Sequence, residues 1–229
     1  LDAAEQVVLV NAEGQEIGTG LKYPVHRSGC LHRAFSIFVF DAEGDLLLQQ
    51  RSASKYHSPG LWSNTCCGHP RPGEATAAAA HRRLREEMGF DCDLAEVSSM
   101  IYRAEFENGM VEHEYDHVLI GHHDGPPTVN PVEVADWKAV QITTLIADLS
   151  LRPAAYTYWL KIILLDANQA IPVRAIRRLG PKKAAAPGRG KEGAVEVPIL
   201  SVTRPAFGKA NVAAAKPAVS NTWARPSSP

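Results

Sequence analysis

The 229 residues can build one good-sized core or two small ones, and a 45% hydrophobic content is ordinary for a soluble globular protein. No run of about 18 apolar residues occurs, which excludes a membrane-spanning helix. The net charge of −1 hides an asymmetry, because residues 172–229 carry eleven Lys/Arg against two Asp/Glu, together with eight of the sixteen prolines.

That basic, Pro/Ala-rich tail lacks a periodic apolar pattern with which to join a core, so it reads as a solvated, disordered extension of a 1–171 domain. Nucleic-acid contact is the less favoured reading of its charge. The opening residues, Leu1-Asp2-Ala3-Ala4-Glu5, have neither the basic flank nor the apolar core of a signal peptide. The cysteines fall at 30, 66, 67 and 92 without CxxC spacing, which points to reduced thiols in a cytoplasmic setting.

In chain order, Val7-Val8-Leu9-Val10 predicts a first strand, and the Asn11-Ala12-Glu13-Gly14 turn leads to a short strand through Ile17. Lys22 and His26 fall in the connection that follows. The run 33–40 predicts an apolar strand, turned by Asp41-Ala42-Glu43-Gly44-Asp45 into Leu46-Leu47-Leu48-Gln49-Gln50. A loop with Lys55 and His57 spans Arg51 to Trp62. Residues 75–88 predict a helix that Gly89 stops. Strands at 97–106 and 110–121 flank the hairpin signal Asn108-Gly109, and in the second of them Glu112, Glu114 and Asp116 share one face. A strand at 132–140 and helices near 142–149 and 154–166 complete an α+β architecture of mixed, mostly antiparallel sheet packed with helices.

The chemistry concentrates around Asn64-Thr65-Cys66-Cys67-Gly68-His69-Pro70. Three imidazoles (His26, His32, His69) and two carboxylates (Glu112, Glu114) are candidates for an octahedral divalent site holding Mn²⁺, Mg²⁺ or Zn²⁺. Carboxylates at i and i+2 on one strand face repel unless a cation or a shared proton joins them. Lys22, Arg51, Lys55, Arg71 and Arg83 precede or flank the Gly68 turn and are candidates for a diphosphate clamp, with Mg²⁺ bridging to a carboxylate such as Glu87. Cys67 is a candidate acid/base group or nucleophile, and Cys66 a small buried hydrophobe.

The spacing Gly68-x5-Glu74-x7-Arg82-x-Leu84-x-Glu86-Glu87-x-Gly89-Phe90 resembles the Nudix box, with Arg83 standing where the box has a glutamate. Leu31-His32-Arg33-Ala34-Phe35-Ser36, the stretch from Pro59 to Pro70, Tyr102-Arg103-Ala104 and Val111-Glu112-His113-Glu114 resemble the type I isopentenyl-diphosphate isomerases, a Nudix-fold family, over roughly residues 5–165. The resemblance implies interconversion of isopentenyl and dimethylallyl diphosphate through a tertiary carbocation. It implies Cys67 and Glu114 as the two acid/base groups, Tyr102 supporting proton delivery and Trp159 facing the cation. It also implies a divalent metal on His26, His32, His69, Glu112 and Glu114, and Mg²⁺ arriving with the diphosphate and held by Glu87 and the Cys67 carbonyl. Lys22, Arg51, Lys55 and Arg83 contact the diphosphate in the same pattern. His26 and His32 have five residues between them, one fewer than the bacterial pattern. A small allylic or homoallylic diphosphate is then the partner of a monomer, with no nucleic acid. The alternatives are a Nudix hydrolase of a nucleoside diphosphate derivative, which Arg83 and Cys67 oppose, and a non-catalytic binding module.

Truncation after residue 171 is expected to leave melting temperature and turnover near those of the full chain. An insoluble or inactive truncation would contradict a tail independent of the core.

Overall fold

The computed structural model describes residues 5–55 and 57–165. The expectation for the basic tail therefore lies outside the described residues. The strands are β1 (Gln6–Val10), β2 (Glu16–Leu21), β3 (His32–Phe40), β4 (Leu46–Arg51), β5 (Trp62–Ser63), β6 (Cys66–Gly68), β7 (Leu94–Glu105), β8 (Val111–His122) and β9 (Val134–Val140). The helices are α1 (Lys22–Ser28), α2 (Thr76–Met88), α3 (Ile142–Leu151) and α4 (Tyr158–Leu165), with a 3₁₀ turn at Pro153–Ala155.

β3 organises the sheet. It pairs in parallel with β8 from His32↔Glu114 to Phe40↔His122, and antiparallel with β6 through Phe35↔Gly68, Ser36↔Cys67 and Ile37↔Cys66. From Ala34 to Phe40 every residue of β3 is buried, as befits a strand covered on both faces. Phe35, Ile37 and Val39 pack toward Ala79, Ala80, Leu84 and Met88 of α2. Phe38 and Phe40 belong to the opposite cluster, with Leu145 and Leu149 of α3 and Trp159, Leu160 and Ile163 of α4. The result is a mixed sheet between helical layers.

The expected strands and the three expected helices are present with ends shifted by a few residues. α1 replaces the expected connection around Lys22 and His26. It is seven residues long and has no side-chain cap and no acidic first turn, so the usual N-terminal capping signals are missing. β5 and β6, of two and three residues, are too short to carry a period.

Gly89 ends α2 at φ +74, and a Cβ there would lie 2.2 Å from the Thr128 carbonyl oxygen. Gly73 has a similar φ of +78 with nothing within 4 Å. Gly73→Ala is expected to cost about 1–2 kcal/mol, the left-handed penalty alone. Gly89→Ala adds the clash, so it should melt several degrees lower than Gly73→Ala, at about 2–4 °C per kcal/mol for a domain of this size. Equal melting temperatures would contradict the close approach of α2 to Thr128.

Candidate active site

Strand alternation puts the chemistry on one face. Glu112, Glu114 and Asp116 lie on the same side of β8, as the sequence predicts. Tyr102 of β7 is paired with Glu114 and so shares that side. Ser36 donates to Asp116 Oδ2 at 2.8 Å, which puts Ser36 there too, and Cys67 is directly opposite Ser36. Cys67 and Glu114 thus come from the two strands that flank β3, on one face of the sheet. His69 lies just beyond β6. Ser36, Cys67, His69, Tyr102, Glu112 and Glu114 line a cavity of about 770 Å³, with Trp159 of α4 among its walls.

The five predicted ligand residues converge: one ligand atom from each of His26, His32, His69, Glu112 and Glu114 lies within 4.8 Å of all the others. The missing residue between His26 and His32 does not displace His26, because α1 delivers it into the cluster from its last turn. Two imidazoles are oriented from behind, as His26 Nδ1 donates to the Lys22 carbonyl at 2.7 Å and His32 Nδ1 donates to the Cys30 carbonyl at 2.9 Å. Their Nε2 atoms then present lone pairs inward, the usual arrangement of metal-ligating histidine. His32 Nε2 lies 3.2 Å from His69 Nε2 and 3.7 Å from Glu114 Oε1, and His26 Nε2 lies 3.2 Å from Glu112 Oε2. Facing nitrogen and carboxylate lone pairs in a buried pocket fit a divalent cation.

The two carboxylates are driven apart in proton affinity. Burial, and after it the charge of Glu112, pushes Glu114 well above the ordinary carboxylate range. Burial opposes ionisation of Glu112 too, but the His57 imidazole, 2.7 Å from Oε1, holds it well below that range. Burial lowers His32 to about 4 and His69 well below its ordinary value, which favours neutral rings. Tyr102 is pushed well above its ordinary value, first by burial, and its hydroxyl donates to Glu114 Oε2 at 2.6 Å. His69 Nε2 reaches Glu114 Oε1 at 2.9 Å. Burial also raises the Cys67 thiol to about 12, so it stays an S–H group at neutral pH.

The predicted cations gather at the cavity. Lys22, Arg51, Lys55, Arg71 and Arg83 all line it. Arg83 pairs with Glu87 and, at 2.7 Å, with Glu86, so the residue that replaces a box glutamate bridges two of the three acids that remain. Glu87 is buried and also accepts from Gln49 Nε2 at 2.9 Å. Lys22 pairs with Glu5 at 3.0 Å. Trp159 is 3% exposed, and its Nε1 donates to Ser63 Oγ and Asn64 Oδ1, each at 3.0 Å. The Arg51 guanidinium sits 5.2 Å from the centroid of that indole, which therefore already faces a cation.

Three participants escaped the sequence. Glu133 pairs with Lys55 and, at 3.3 Å, with Arg83, holding two clamp cations beside Glu87. His57 reaches Glu112 Oε1 at 2.7 Å. The Ser36–Asp116 pair lies behind Cys67 and Glu114. The alternation already places Asp116 on the face of Glu112 and Glu114; its pairing with Ser36 was not legible, because spacing does not reveal which neighbouring strand lies beside it. Glu133 and His57 sit in connections, where spacing carries no facing information.

A fold of this kind, with a helix bearing the box beside a mixed sheet, defines a class. The NUDIX domain model matches residues 31–160, and the chain belongs to the Nudix family. A structure of DR0079 from Deinococcus radiodurans superimposes with a TM-score of 0.58 at 21% identity, covering 76% of this chain and 98% of that one, a likeness of fold. Within the class, the chain belongs with the isopentenyl-diphosphate Delta-isomerases. It is 57% identical to isopentenyl-diphosphate Delta-isomerase 1 of Aromatoleum aromaticum, over 69% of this chain and 89% of that protein. It is 56% identical to isopentenyl-diphosphate Delta-isomerase 2 of Photorhabdus laumondii, over 70% and 90%.

The box retains one brace independent of any ligand. Arg82 Nε and Nη2 donate to Glu74 Oε1 and Oε2 at 2.7 and 2.8 Å, and Glu74 also accepts from the Arg71 N–H at 2.9 Å. Arg82, first of all through these hydrogen bonds, lowers Glu74 from 4.5 to about 2. A carboxylate with a depressed pKa stabilises the fold above its unfolded value and loses that contribution as pH falls toward the folded one. Glu74→Gln is therefore expected to lose about 1–2 kcal/mol at pH 7 in denaturant melts. The deficit should shrink as pH falls from 4.5 to 2. A deficit constant across that window would contradict the ion-paired brace.

Proposed function

We propose that the protein interconverts isopentenyl diphosphate and dimethylallyl diphosphate by adding a proton to one carbon and removing one from another, through a tertiary carbocation. The observation that carries this reading is the pairing of two protonable groups on one sheet face. The Cys67 thiol and the Glu114–Tyr102 pair line one cavity, with an indole in its wall and cations around it.

Lys22, Arg51, Lys55 and Arg83 hold the diphosphate, which fixes the hydrocarbon end against the sheet. One acid/base group gives a proton to the terminal alkene carbon, and the π electrons form the new C–H bond. The other takes a proton from the carbon next to the diphosphate-bearing one, counted from the cationic centre, and that C–H pair becomes the new double bond. In the direction that begins with the Cys67 S–H as acid, Glu114 enters ionised as the base, and in the reverse direction the two exchange these roles. Tyr102 holds and orients Glu114 through its 2.6 Å hydrogen bond. Trp159 stabilises the cationic centre more than the neutral alkene, which is what lowers the barrier. The buried Glu114 and the half-buried Cys67 limit the water that would quench the cation. When bound, Mg²⁺ on Glu87 and the Cys67 carbonyl neutralises diphosphate charge, and a second divalent ion on the three histidines and two glutamates supplies a fixed positive charge beside Glu114. The mixed nitrogen and oxygen donors of that second site favour Mn²⁺ or Zn²⁺ over Mg²⁺.

The hydrolase reading is weaker here because Arg83 puts a guanidinium among the box acids that a hydrolase uses to gather metal ions. Among the described residues no helix is long and apolar enough to cross a membrane. The four cysteines are free thiols, which supports a reducing, cytoplasmic setting.

Cys67→Ala is expected to abolish isomerisation with little change in melting temperature, while Cys66→Ala, on the helix-facing side, keeps most activity. Trp159→Phe should lower kcat modestly, and Trp159→Leu by roughly ten- to thirty-fold, for ~1.4–2 kcal/mol of lost cation stabilisation. Because Trp159 is also a core residue, kcat is measured per folded molecule, with KM expected to stay near wild type. Equal kcat for Trp, Phe and Leu would contradict the cation role, and an active Cys67→Ala would contradict the acid/base assignment.

A further inference from the structure

His57 lies in the connection between β4 and β5, in no strand or helix, yet it is only 7% exposed. Its Nε2 is 2.7 Å from Glu112 Oε1, and the other oxygen of Glu112 faces His26 at 3.2 Å. An ionised carboxylate only accepts hydrogen bonds, so Nε2–H is the donor. The His57 carbonyl accepts from Arg51 Nη2 at 3.2 Å. Its ring stacks on Phe106, with centroids 5.7 Å apart and planes at 22°, and meets Trp159 edge to face at 5.7 Å and 82°. One residue therefore touches a member of the ligand cage, a diphosphate-clamp arginine and the indole.

We propose that His57 is a positioning residue: its Nε2–H fixes one oxygen of Glu112 so that the other is presented to the divalent cation, and its carbonyl and ring lock Arg51 and Trp159 to the same point. This rests on the isomerase reading for the roles of Arg51 and Trp159, but not for the metal cage. A carboxylate with one oxygen held by an N–H at 2.7 Å cannot rotate freely about its last torsion, so less entropy is lost when the cation binds. The contact also ties the loop to the cage, since the loop is closed at its base by Arg51 N–H to Leu61 O at 2.9 Å and Gly60 N–H to Arg51 O at 3.0 Å. Without the imidazole N–H, Glu112 Oε1 is left as a buried acceptor with no donor from this loop. The competing role is space-filling between Phe106 and Trp159, for which any planar ring suffices.

The test uses the full chain carrying His57→Phe, which keeps a ring and removes the N–H, and His57→Gln, whose amide nitrogen replaces the donor. Mn²⁺ affinity is measured without substrate, by equilibrium dialysis and by the spin-resonance signal of free Mn²⁺, alongside melting temperature, kcat and KM. The Phe variant is expected to bind Mn²⁺ about 10–100-fold more weakly with a near-normal melting temperature, and Gln to recover most of the affinity. Wild-type Mn²⁺ affinity in the Phe variant would overturn the proposal. Equal losses of affinity in Phe and Gln would also overturn it, because the donor would not be what matters. Wild-type protein that binds no Mn²⁺ overturns the cage and the proposal together. Wild-type protein that binds Mn²⁺ but does not isomerise overturns the isomerase reading alone, and the Phe and Gln affinities still decide the role of His57.

Discussion

Glu112 and Glu114 are buried two residues apart on one strand face, 2% and 7% exposed. Two carboxylates in that position cannot both be bare anions in a low-dielectric interior, since each unpaired buried charge costs several kcal/mol. Much of the site is the answer to that constraint. Three histidines from three separate segments converge on the pair, backbone carbonyls fix two of them with lone pairs inward, and Tyr102 and His57 each take one carboxylate oxygen. Glu112 is held as an anion and Glu114 is pushed toward the protonated form. The ligand cluster that could hold a divalent cation and the Tyr102-braced carboxyl of Glu114 are two consequences of one arrangement.

The same economy separates this chain from a hydrolase built on the same sheet. Both need α2 close to the diphosphate, and Gly89 lets α2 end against Thr128 so that Glu87 reaches the cavity. Where the box has a further acid, Arg83 binds Glu86 and Glu87 and, with Lys55, leans on Glu133. Arg83 thus places a guanidinium among the acids of the helix, in keeping with the proposal that the diphosphate is gripped and not cut. Cleavage needs an activated water, whereas moving a double bond through a cation needs water kept out. The walls contributed by the buried Trp159 and the half-buried thiol of Cys67 serve the second need.

The sequence makes the period-2 face of β8 and the spaced residues of the box plain, because regular elements convert spacing into direction. Glu112, Glu114, Glu87 and the Arg83 exchange were legible for that reason. The convergence of His26 with the other ligands was not, because it depends on α1, which has no side-chain N-cap, no acidic first turn and only seven residues. Cys67 facing the site while Cys66 faces α2 depends on a three-residue strand whose partner is 30 residues away, so only the pairing with Ser36 and Ile37 decides it. His57 and Glu133 act from loops, where tertiary closure alone sets direction. The resemblance to a family supplied roles for many residues but was silent on these two.

The central claim is that the site moves protons on carbon and leaves the diphosphate whole. The direct measurement is proton and phosphorus NMR of isopentenyl diphosphate incubated with the protein, Mg²⁺ and Mn²⁺ in deuterated water. The account predicts dimethylallyl diphosphate carrying deuterium in a methyl group, approaching an equilibrium mixture, with both phosphorus signals retained as a diphosphate. Release of inorganic phosphate or pyrophosphate without a dimethylallyl signal would contradict it.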